Sequence, residues 1–349
     1  MTTNRRSRKI AVRPLRVVTV LLAVLLANAW LTGCSGGESE TPTIRFSQQY
    51  GVGYLPLMVM RHNKMVEAQA AERGIDQVDI EWVTLGGGAS TSAALLSGNL
   101  DFAASGVGPM IKMWDKTRGA QNVKALGAIN SIPIVLTTSD PEVQSIEDFN
   151  KTDRIALPAV KVSIQAVTLQ MAAAKQWGND AYDRLDDLTV SMKHPDAMAA
   201  MLSNSEVNAH FGSPPYYQQE LERDGIHQVL TSYDVLGGKS TFNTLWASDS
   251  FRNDHPKLFA AVFAALKQAM QFIADKPREA AKIYIAEANS KLPEDLIFQI
   301  ITDPDIEFTT TPKNVMKYAR FMHQIKSIDH EAGSWKDMFF PEVANEPGS

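Results

Sequence analysis

From residue 43 to residue 250, short apolar runs alternate with longer stretches in which apolar residues recur every three or four positions. The short runs are bounded by turn-forming residues and predict strands. We expect these strands over residues 44–47, 78–85, 102–105, 123–130, 154–157, 188–192, 208–211, 228–232 and 244–247. Strands that alternate with helices predict βαβ units and mainly parallel sheets.

The amphipathic stretches predict helices. Pro56 suits a helix start and Gly74 a helix stop, so we expect one helix over residues 57–72. Ser163 begins another, and helices also start near residue 255, at Pro277 and at Pro312. The helix after residue 255 carries a strong apolar stripe, which we assign to the core. Its members are Phe259, Val262, Phe263, Leu266, Met270 and Ile273.

One motif occurs twice. Residues 93–109 and residues 199–215 each read as a helix end, a tight turn, a short strand and a loop of small residues that opens another helix. The copies start 106 residues apart, about one domain length. A chance likeness between two Ala-rich helices is the alternative. Two such units predict two α/β lobes with a ligand between them, because open α/β sheets bind ligands beyond the carboxyl ends of their strands.

The chain crosses between these lobes twice. The first crossing follows Pro133 at residues 134–138, and the return crossing lies over residues 237–243. We therefore predict a discontinuous first lobe, residues 43–133 and 244–349, and a second lobe, residues 134–243. The expected fold is α/β, with two lobes joined by two crossovers.

The N-terminus has the pattern of an export signal. Six basic residues precede an uncharged, largely apolar stretch from residue 17, which ends in Leu-Thr-Gly-Cys at residues 31–34. This ending resembles the lipobox of bacterial lipoproteins, in which the cysteine thiol receives the lipid. An accidental or buried cysteine is the alternative. We predict a signal peptide over residues 1–33, a flexible tether over residues 34–42, and a membrane anchor through Cys34 on the extracytoplasmic face; the choice of inner or outer membrane stays open.

Charge and motifs narrow the function. Without the first 33 residues the chain holds 28 basic and 39 acidic residues, a net charge of −11, and no basic patch, so we expect no nucleic-acid partner. The sequence has no nucleophile elbow, phosphate-binding loop or dinucleotide fingerprint, so we predict no catalytic residue and no cofactor. His210 has no second ligand at metal spacing. We predict a hydrogen-bonding or structural role for His210, and no metal site.

An ordered series of motifs resembles the nitrate/sulfonate/taurine-type substrate-binding proteins of ABC importers, which include binders of thiamine precursors. The series begins at Gln49-Tyr50-Gly51, passes through the glycines at 86–88 and both copies of the repeat, and spans residues 43 to about 290. The resemblance implies a type II periplasmic-binding fold that closes on a small ligand and delivers it to a permease. Relatives of yeast type that synthesise a pyrimidine use a cysteine-rich segment, whereas this chain has one Cys.

The candidate ligand site combines helix N-termini with aromatic residues. Free N–H groups and the helix dipole bind oxyanions, and we expect three such N-termini, near Ser90, Gly108 and Ser163. Aromatic rings near the cleft would instead suit a flat heteroaromatic ligand. The candidate residues are Gln49, Tyr50, Tyr54, Gly87, Gly88, Ala89, Ser90, Ser105, Gly106, Val107, Lys161, Ser163, Phe211, Ser213, Phe242 and Asn243.

Alternatives remain open for these residues and for the function. Each serine has a plain capping role as its alternative, and Phe211 and other rings have core packing. The sequence favours a solute receptor, with an enzyme or an extracytoplasmic sensor on the same fold as alternatives. It does not choose between an oxyanion and a heteroaromatic ligand.

Overall fold

The computed structural model describes residues 1–2 and 41–349, and Pro42–Ser349 form one unit. The predicted signal peptide, most of the tether and Cys34 lie outside the described residues. Within the described residues, ten strands follow one another. They are β1 Thr43–Gln48, β2 Asp79–Thr84, β3 Ala103–Gly106, β4 Lys124–Ala128, β5 Val135–Thr138, β6 Ile155–Leu157, β7 Thr189–Ser191, β8 Ala209–Gly212, β9 His227–Thr231 and β10 Asn243–Ala247.

The strands form two lobes of the same design. In the first lobe β1 pairs with β2, β10 lies between β3 and β4, and a bridge between Phe46 and Phe102 joins the two groups. In the second lobe the order is β7-β6-β8-β5-β9. In each lobe the strand in the fourth position is the one at or directly after a crossing from the other lobe, β10 in the first lobe and β5 in the second.

The directions of β10 and β5 correct one prediction. β10 runs antiparallel to β3 and β4, and β5 runs antiparallel to β8 and β9, whereas β1 with β2 and β6 with both neighbours are parallel. The expectation of mainly parallel sheets is wrong. The helix–strand alternation describes only strands joined through a helix within one lobe, and a strand reached by a crossing enters its new sheet from the opposite direction.

Helices cover the sheets of both lobes. They are α1 Leu55–His62, α2 Met65–Ala71, α3 Gly88–Leu96, α4 Val107–Lys116, α5 Ile164–Trp177, α6 His194–Leu202, α7 Tyr216–Leu221, α8 Ser232–Leu236, α9 Asp249–Asp254, α10 Pro256–Asp275, α11 Pro277–Glu287, α12 Glu294–Ile301 and α13 Val315–Gln324. Single 3₁₀ turns lie at Val52–Tyr54, Asn179–Ala181, Asp186–Leu188, Trp335–Met338 and Pro341–Val343.

The helix expected over residues 57–72 is two helices. Asn63 donates a side-chain hydrogen bond to the Val59 carbonyl at 3.1 Å, and Lys64 adopts a left-handed backbone with φ of 50°. The break contains neither Gly nor Pro, so the apolar periodicity alone predicts one continuous helix across it. Both halves still bury their apolar side, Leu55 to Met60 in α1 and Val66 with Ala70 in α2.

The apolar stripe after residue 255 lies on α10. Phe259, Val262, Leu266 and Ile273 are buried, and the helix packs against α1, α2 and α11. Among the described residues, α10 is long and apolar enough to cross a membrane, but half of its apolar stretch is buried in this core. Its composition is accounted for by that packing.

The repeat is present in three dimensions. α3 and α6 begin 106 residues apart, and both end in a left-handed residue, Gly98 with φ of 73° and Asn204 with φ of 48°. The turns also share their hydrogen bonds, because Asn99 N donates to Ala94 O and Ser205 N donates to Ala200 O. A strand follows each turn, and a helix follows each strand. The repeat is thus a structural unit and not a chance likeness.

The two crossings between lobes lie side by side. Ser131 bridges Thr241, and Asn130 and Asn243 exchange side-chain and backbone hydrogen bonds at 3.2 Å. Asn130 also donates to the Gly53 carbonyl at 2.6 Å. The two crossings are therefore linked to each other by a bridge and by hydrogen bonds. The predicted lobe boundaries at residues 133 and 244 remain a prediction.

Candidate functional site

A small cavity lies where the two lobes meet. The first lobe and the return crossing contribute Gln49, Tyr50, Tyr54, Gly88, Ser105, Gly106, Pro109, Phe242 and Asn243. The second lobe contributes Pro158, Ser163, Ile164, Gln165 and His194. The cavity volume is about 20 Å³, close to the space that one water molecule needs. A larger ligand therefore requires the lobes to move apart.

Four helices begin at this cavity. α3 and α6 start with the lining residues Gly88 and His194, and α4 and α5 start directly after the lining residues Gly106 and Ser163. Two of these helices belong to each lobe. The first N–H groups of a helix lack partners within it, and its dipole places positive potential at that end. The cavity lining has no carboxylate and no Lys or Arg. Its electrostatics are therefore set by helix ends and neutral side chains, an arrangement that suits an anion.

Close packing between the lobes depends on a small residue at Gly106. A Cβ built there would lie 2.7 Å from Ile164 Cγ2 of the second lobe. Any side chain at this position would hold the lobes apart at the end of β3.

Side chains of the first lobe are held by a hydrogen-bond network. Gln49 Nε2 donates to Ser105 Oγ at 2.8 Å, and Asn243 Nδ2 donates to the Tyr54 hydroxyl at 3.0 Å. Burial raises the pKa of Tyr54, so its hydroxyl keeps its proton. Because this hydroxyl already accepts from Asn243, it can donate its own proton to a ligand oxygen.

Side chains of the second lobe meet the cavity at two helix starts. Ser163 Oγ accepts from Ala166 N at 3.2 Å, so Ser163 is the N-cap of α5 and retains a hydroxyl proton to donate. Gln165 Nε2 lies 3.3 Å from Nε2 of His194, the first residue of α6. Burial lowers the pKa of His194 well below its usual range, and the nearby His210 adds to that effect. His194 is therefore neutral at pH 7.

The cavity contains nine of the sixteen candidate residues. They are Gln49, Tyr50, Tyr54, Gly88, Ser105, Gly106, Ser163, Phe242 and Asn243. The structure brings these residues together from distant parts of the sequence. That they bind a ligand remains a prediction.

The other seven candidates lie elsewhere, for identifiable reasons. Ala89 and Ser90 are exposed on α3, and Ser90 is not the cap, because its Oγ donates to the carbonyl of Gly87, which is the N-cap. Lys161 is exposed on a left-handed turn. The remaining four are buried next to the site without lining it. They are the cap Gly87, Val107 and Phe211 in the hydrophobic core, and Ser213 beside Gly51.

Sequence reasoning missed His194, Gln165, Pro109, Pro158 and Ile164. For His194 a signal existed, since it stands 106 residues after Gly88 and thus at the equivalent position of the second copy. The hydrogen-bonding role predicted for His210 is confirmed: its Nε2 lies 2.8 Å from His194 Nδ1, and its Nδ1 lies 2.5 Å from Glu220 Oε1. Within residues 41–349 no group of three His, Cys, Asp or Glu could hold a metal ion.

A second, wider pocket opens beside the cavity and shares Gln49 and Tyr50 with it. Its volume is about 370 Å³, and it also lies between the lobes, with Met58 and Tyr284 on one side and Met198 and Tyr216 on the other. The cavity and this pocket meet at the Gln49–Tyr50 segment.

The sequence matches a known protein family. Residues 71–280 match the family model described as NMT1/THI5 like, which is more than half of the 349 residues. The chain belongs to this family. No curated protein sequence matches the chain.

Several solved structures share the fold. The alkanesulfonate-binding protein SsuA of Xanthomonas axonopodis pv. citri, bound to MOPS, aligns with a TM-score of 0.67 at 16% identity, covering 84% of this chain and 96% of that one. The periplasmic nitrate-binding protein NrtA of Synechocystis aligns with a TM-score of 0.63 at 14% identity, covering 81% of each chain. A Candida albicans protein described as having the generic periplasmic binding protein fold aligns with a TM-score of 0.61 at 14% identity, covering 87% and 95%. The family member described here therefore has the two-lobed periplasmic-binding-protein fold predicted for it.

Proposed function

We propose that this protein is a solute receptor that binds a small anion between its lobes and does not react with it. The observation that carries the proposal is the meeting of four helix N-termini, two from each lobe, at a cavity without acidic side chains. Backbone N–H groups and neutral hydroxyls bind an anion strongly enough for capture, yet leave no fixed counter-charge to slow its release. An oxyanion such as a sulfonate or nitrate is the ligand class that this arrangement favours.

The receptor would serve an ABC importer at the extracytoplasmic face of a membrane. This assignment is supported by the family, by the fold shared with a sulfonate-binding and a nitrate-binding protein, and by the export-signal pattern at the N-terminus. The enzyme alternative is disfavoured by the absence of a catalytic motif from the sequence. Recovery of the bound anion unchanged after incubation is the expected result. Conversion of the anion to a new compound would favour the enzyme.

A ligand screen tests the anion class. Ethanesulfonate, taurine, nitrate, acetate and a hydroxymethyl pyrimidine are each added to the protein, and the melting temperature is recorded. A true ligand at one hundred times its Kd should stabilise the fold by about 2.7 kcal/mol. The Ser105→Ala variant should weaken binding about three- to tenfold, whereas Ser97→Ala, at the exposed far end of α3, should leave it unchanged. Stabilisation by the pyrimidine alone would replace the anion with a heteroaromatic ligand.

Ligand entry requires hinge motion, because the cavity holds about 20 Å³. We place the hinges at residues 132–137 and 239–244, where the paired crossings connect the lobes. Domain closure about such crossings is a recognised motion of periplasmic receptors. Small-angle scattering should show a smaller radius of gyration with saturating ligand than without it. An equal radius in both samples would contradict closure.

The membrane anchor is proposed from sequence alone. Cys34 follows Leu-Thr-Gly at the end of the uncharged stretch, where a lipoprotein cysteine would stand. The Cys34→Ala variant should leave the membrane fraction, while the wild-type protein should carry a lipid mass at its N-terminal cysteine. A wild-type protein that is recovered soluble and without lipid would contradict the anchor.

A further inference from the structure

A chain of buried polar side chains runs through the second lobe and ends at the cavity. Glu220 on α7 lies 2.5 Å, through Oε1, from Nδ1 of His210 on β8. His210 Nε2 lies 2.8 Å from Nδ1 of His194, the first residue of α6. His194 Nε2 then lies 3.3 Å from Nε2 of Gln165, and both of these side chains line the cavity.

The burial of these side chains determines which of them are charged. Glu220 and His210 have no exposed surface, and His194 is 7% exposed. Besides His210, Glu220 accepts a hydrogen bond from Thr137 Oγ1 at 2.7 Å. A buried carboxylate without a cation is costly, whereas a carboxylate and an imidazolium in contact carry no net charge. We therefore assign Glu220 and His210 as a carboxylate–imidazolium pair.

This pair fixes the tautomer of His194. A contact of 2.8 Å between two imidazole nitrogens holds one proton, and the imidazolium of His210 supplies it from Nε2. His194 Nδ1 is then the acceptor. Because His194 is neutral, its single proton is on Nε2, the nitrogen that faces Gln165 and the cavity. With an ionised Glu220 and a neutral His210 instead, the proton order would reverse and Nε2 of His194 would be an acceptor.

A donor at Nε2 of His194 needs an acceptor from Gln165, whose Nε2 lies 3.3 Å away. Amide nitrogen and oxygen are assigned from the hydrogen-bond network, so this donor requires the Gln165 amide to be turned with Oε1 toward His194. The His194 ring is also stacked on Tyr216, with ring centroids 5.5 Å apart and an angle of 24° between the planes. The ring is thus held on one side by stacking and at Nδ1 by His210.

We propose that His194 is a ligand-binding residue that donates a hydrogen bond from Nε2 to an oxygen of the anion in place of Gln165, and that His210 and Glu220 are positioning residues that hold it in the donor tautomer. The proposal rests on the anion-receptor function above. It makes the second lobe selective for an acceptor group: a ligand that offers an N–H at this point would face the His194 proton and bind poorly.

The tautomer is measured directly by NMR of protein labelled with ¹⁵N-histidine, without any ligand. We expect His194 to be protonated at Nε2 alone and His210 at both nitrogens at pH 7. In the Glu220→Gln variant His210 should lose its second proton, and the proton of His194 should move at least in part to Nδ1. A wild-type His194 protonated at Nδ1 would overturn the proposal even if no variant folds.

Binding separates this proposal from the proposed function. With ethanesulfonate and nitrate as probes in calorimetry, His194→Phe should bind about tenfold to a hundredfold more weakly than wild type. The control is His255→Gln, an exposed histidine preceding α10, which should bind as wild type does. Equal affinity of wild type and His194→Phe for a bound probe would overturn the role of His194 alone. Failure of wild type to bind either anion would overturn the proposed function and this contact together.

Discussion

The two copies of the repeat share a backbone and differ in chemistry. Gly88 and His194 are the first residues of α3 and α6, 106 residues apart, and both line the cavity. In the following strands Ala104 and His210 occupy the equivalent positions. The first copy therefore offers backbone at the two places where the second copy offers imidazole rings.

Packing explains why each copy keeps its own residues. A Cβ at Gly88 would lie 2.4 Å from Pro109 Cγ and 2.8 Å from Ser105 Oγ, so the first copy has no room for a side chain there. The second copy fills the equivalent space with His194 and His210 in contact. One scaffold thus presents bare helix N–H groups from one lobe and a side-chain donor from the other.

The largest loss of stability should come from removing Glu220, at the buried end of the polar side chains in the second copy. Glu220→Ala removes the carboxylate and leaves Nδ1 of the buried His210 without a partner. Removing one member of a buried pair costs about 3–5 kcal/mol, and we expect that loss in the free energy of unfolding measured with urea. The matched control is Glu222→Ala, an exposed carboxylate next to the end of α7, which should change stability by less than about 0.5 kcal/mol. Equal losses in the two variants would refute the importance of the pair.

A side chain introduced at Gly88 should destabilise the first copy of the repeat. Gly88→Val forces Cβ against Pro109 and Ser105, and such overpacking costs about 1–3 kcal/mol of unfolding free energy. Binding should fall as well, because the new side chain occupies the start of α3. Ala93→Val, exposed on the same helix, controls for helix propensity and should cost at most about 0.7 kcal/mol. If the two variants unfold alike, the close contact at Gly88 is unimportant.

Lowering the pH should reduce stability through the second copy of the repeat and not through the first, because only the second copy has a buried neutral imidazole at the cavity. The folded state depresses the pKa of His194, so below an unfolded pKa of about 6.5 the unfolded chain binds a proton that the folded chain does not. Stability should therefore fall as pH drops below this value, by up to about 1.4 kcal/mol per pH unit. His194→Gln should lessen the slope of unfolding free energy against pH. An unchanged slope would contradict the depressed pKa.

The smallest effect concerns the helix cap of the second lobe. Ser163→Ala removes the acceptor for Ala166 N and should cost about 1 kcal/mol of stability. The same variant should weaken anion binding about three- to tenfold if Ser163 also donates to the ligand. Ser163→Thr, which keeps the hydroxyl, should restore most of both properties. A variant that loses stability but keeps full affinity would limit Ser163 to capping.

Local features of this fold were predictable from sequence, and contacts between distant segments were not. Nine of the ten described strands follow from apolar runs and turn residues, whereas the run that forms β5 was predicted as a crossing. Ser163 follows from capping chemistry. The break at Asn63–Lys64 was missed because it is made by an asparagine side chain within an apolar period. The direction of β5 and β10 depends on which lobe each strand enters, and no residue in either strand encodes that.

The site shows the same division. Four of the nine predicted lining residues are glycines and serines, which suit helix starts and close approach, and the other five are polar or aromatic residues of the predicted loops. The pair of His194 and His210 was missed, since the residues stand on different elements and meet only when α6 packs beside β8. Ser90 resembled a cap in sequence, yet Gly87 holds that place in the structure.

The position of β10 also sets the order in which the chain can fold. β10 is the middle strand between β3 and β4, and Thr244 of β10 hydrogen-bonds to Ser105, 139 residues earlier in the chain. The first lobe cannot complete its sheet until the whole second lobe has been made, whereas the second lobe receives all five strands from one continuous stretch. Long loop closure slows folding, so we expect the second lobe to form first and the first lobe to close around it. A chain released before residue 243 should stay open in its first lobe.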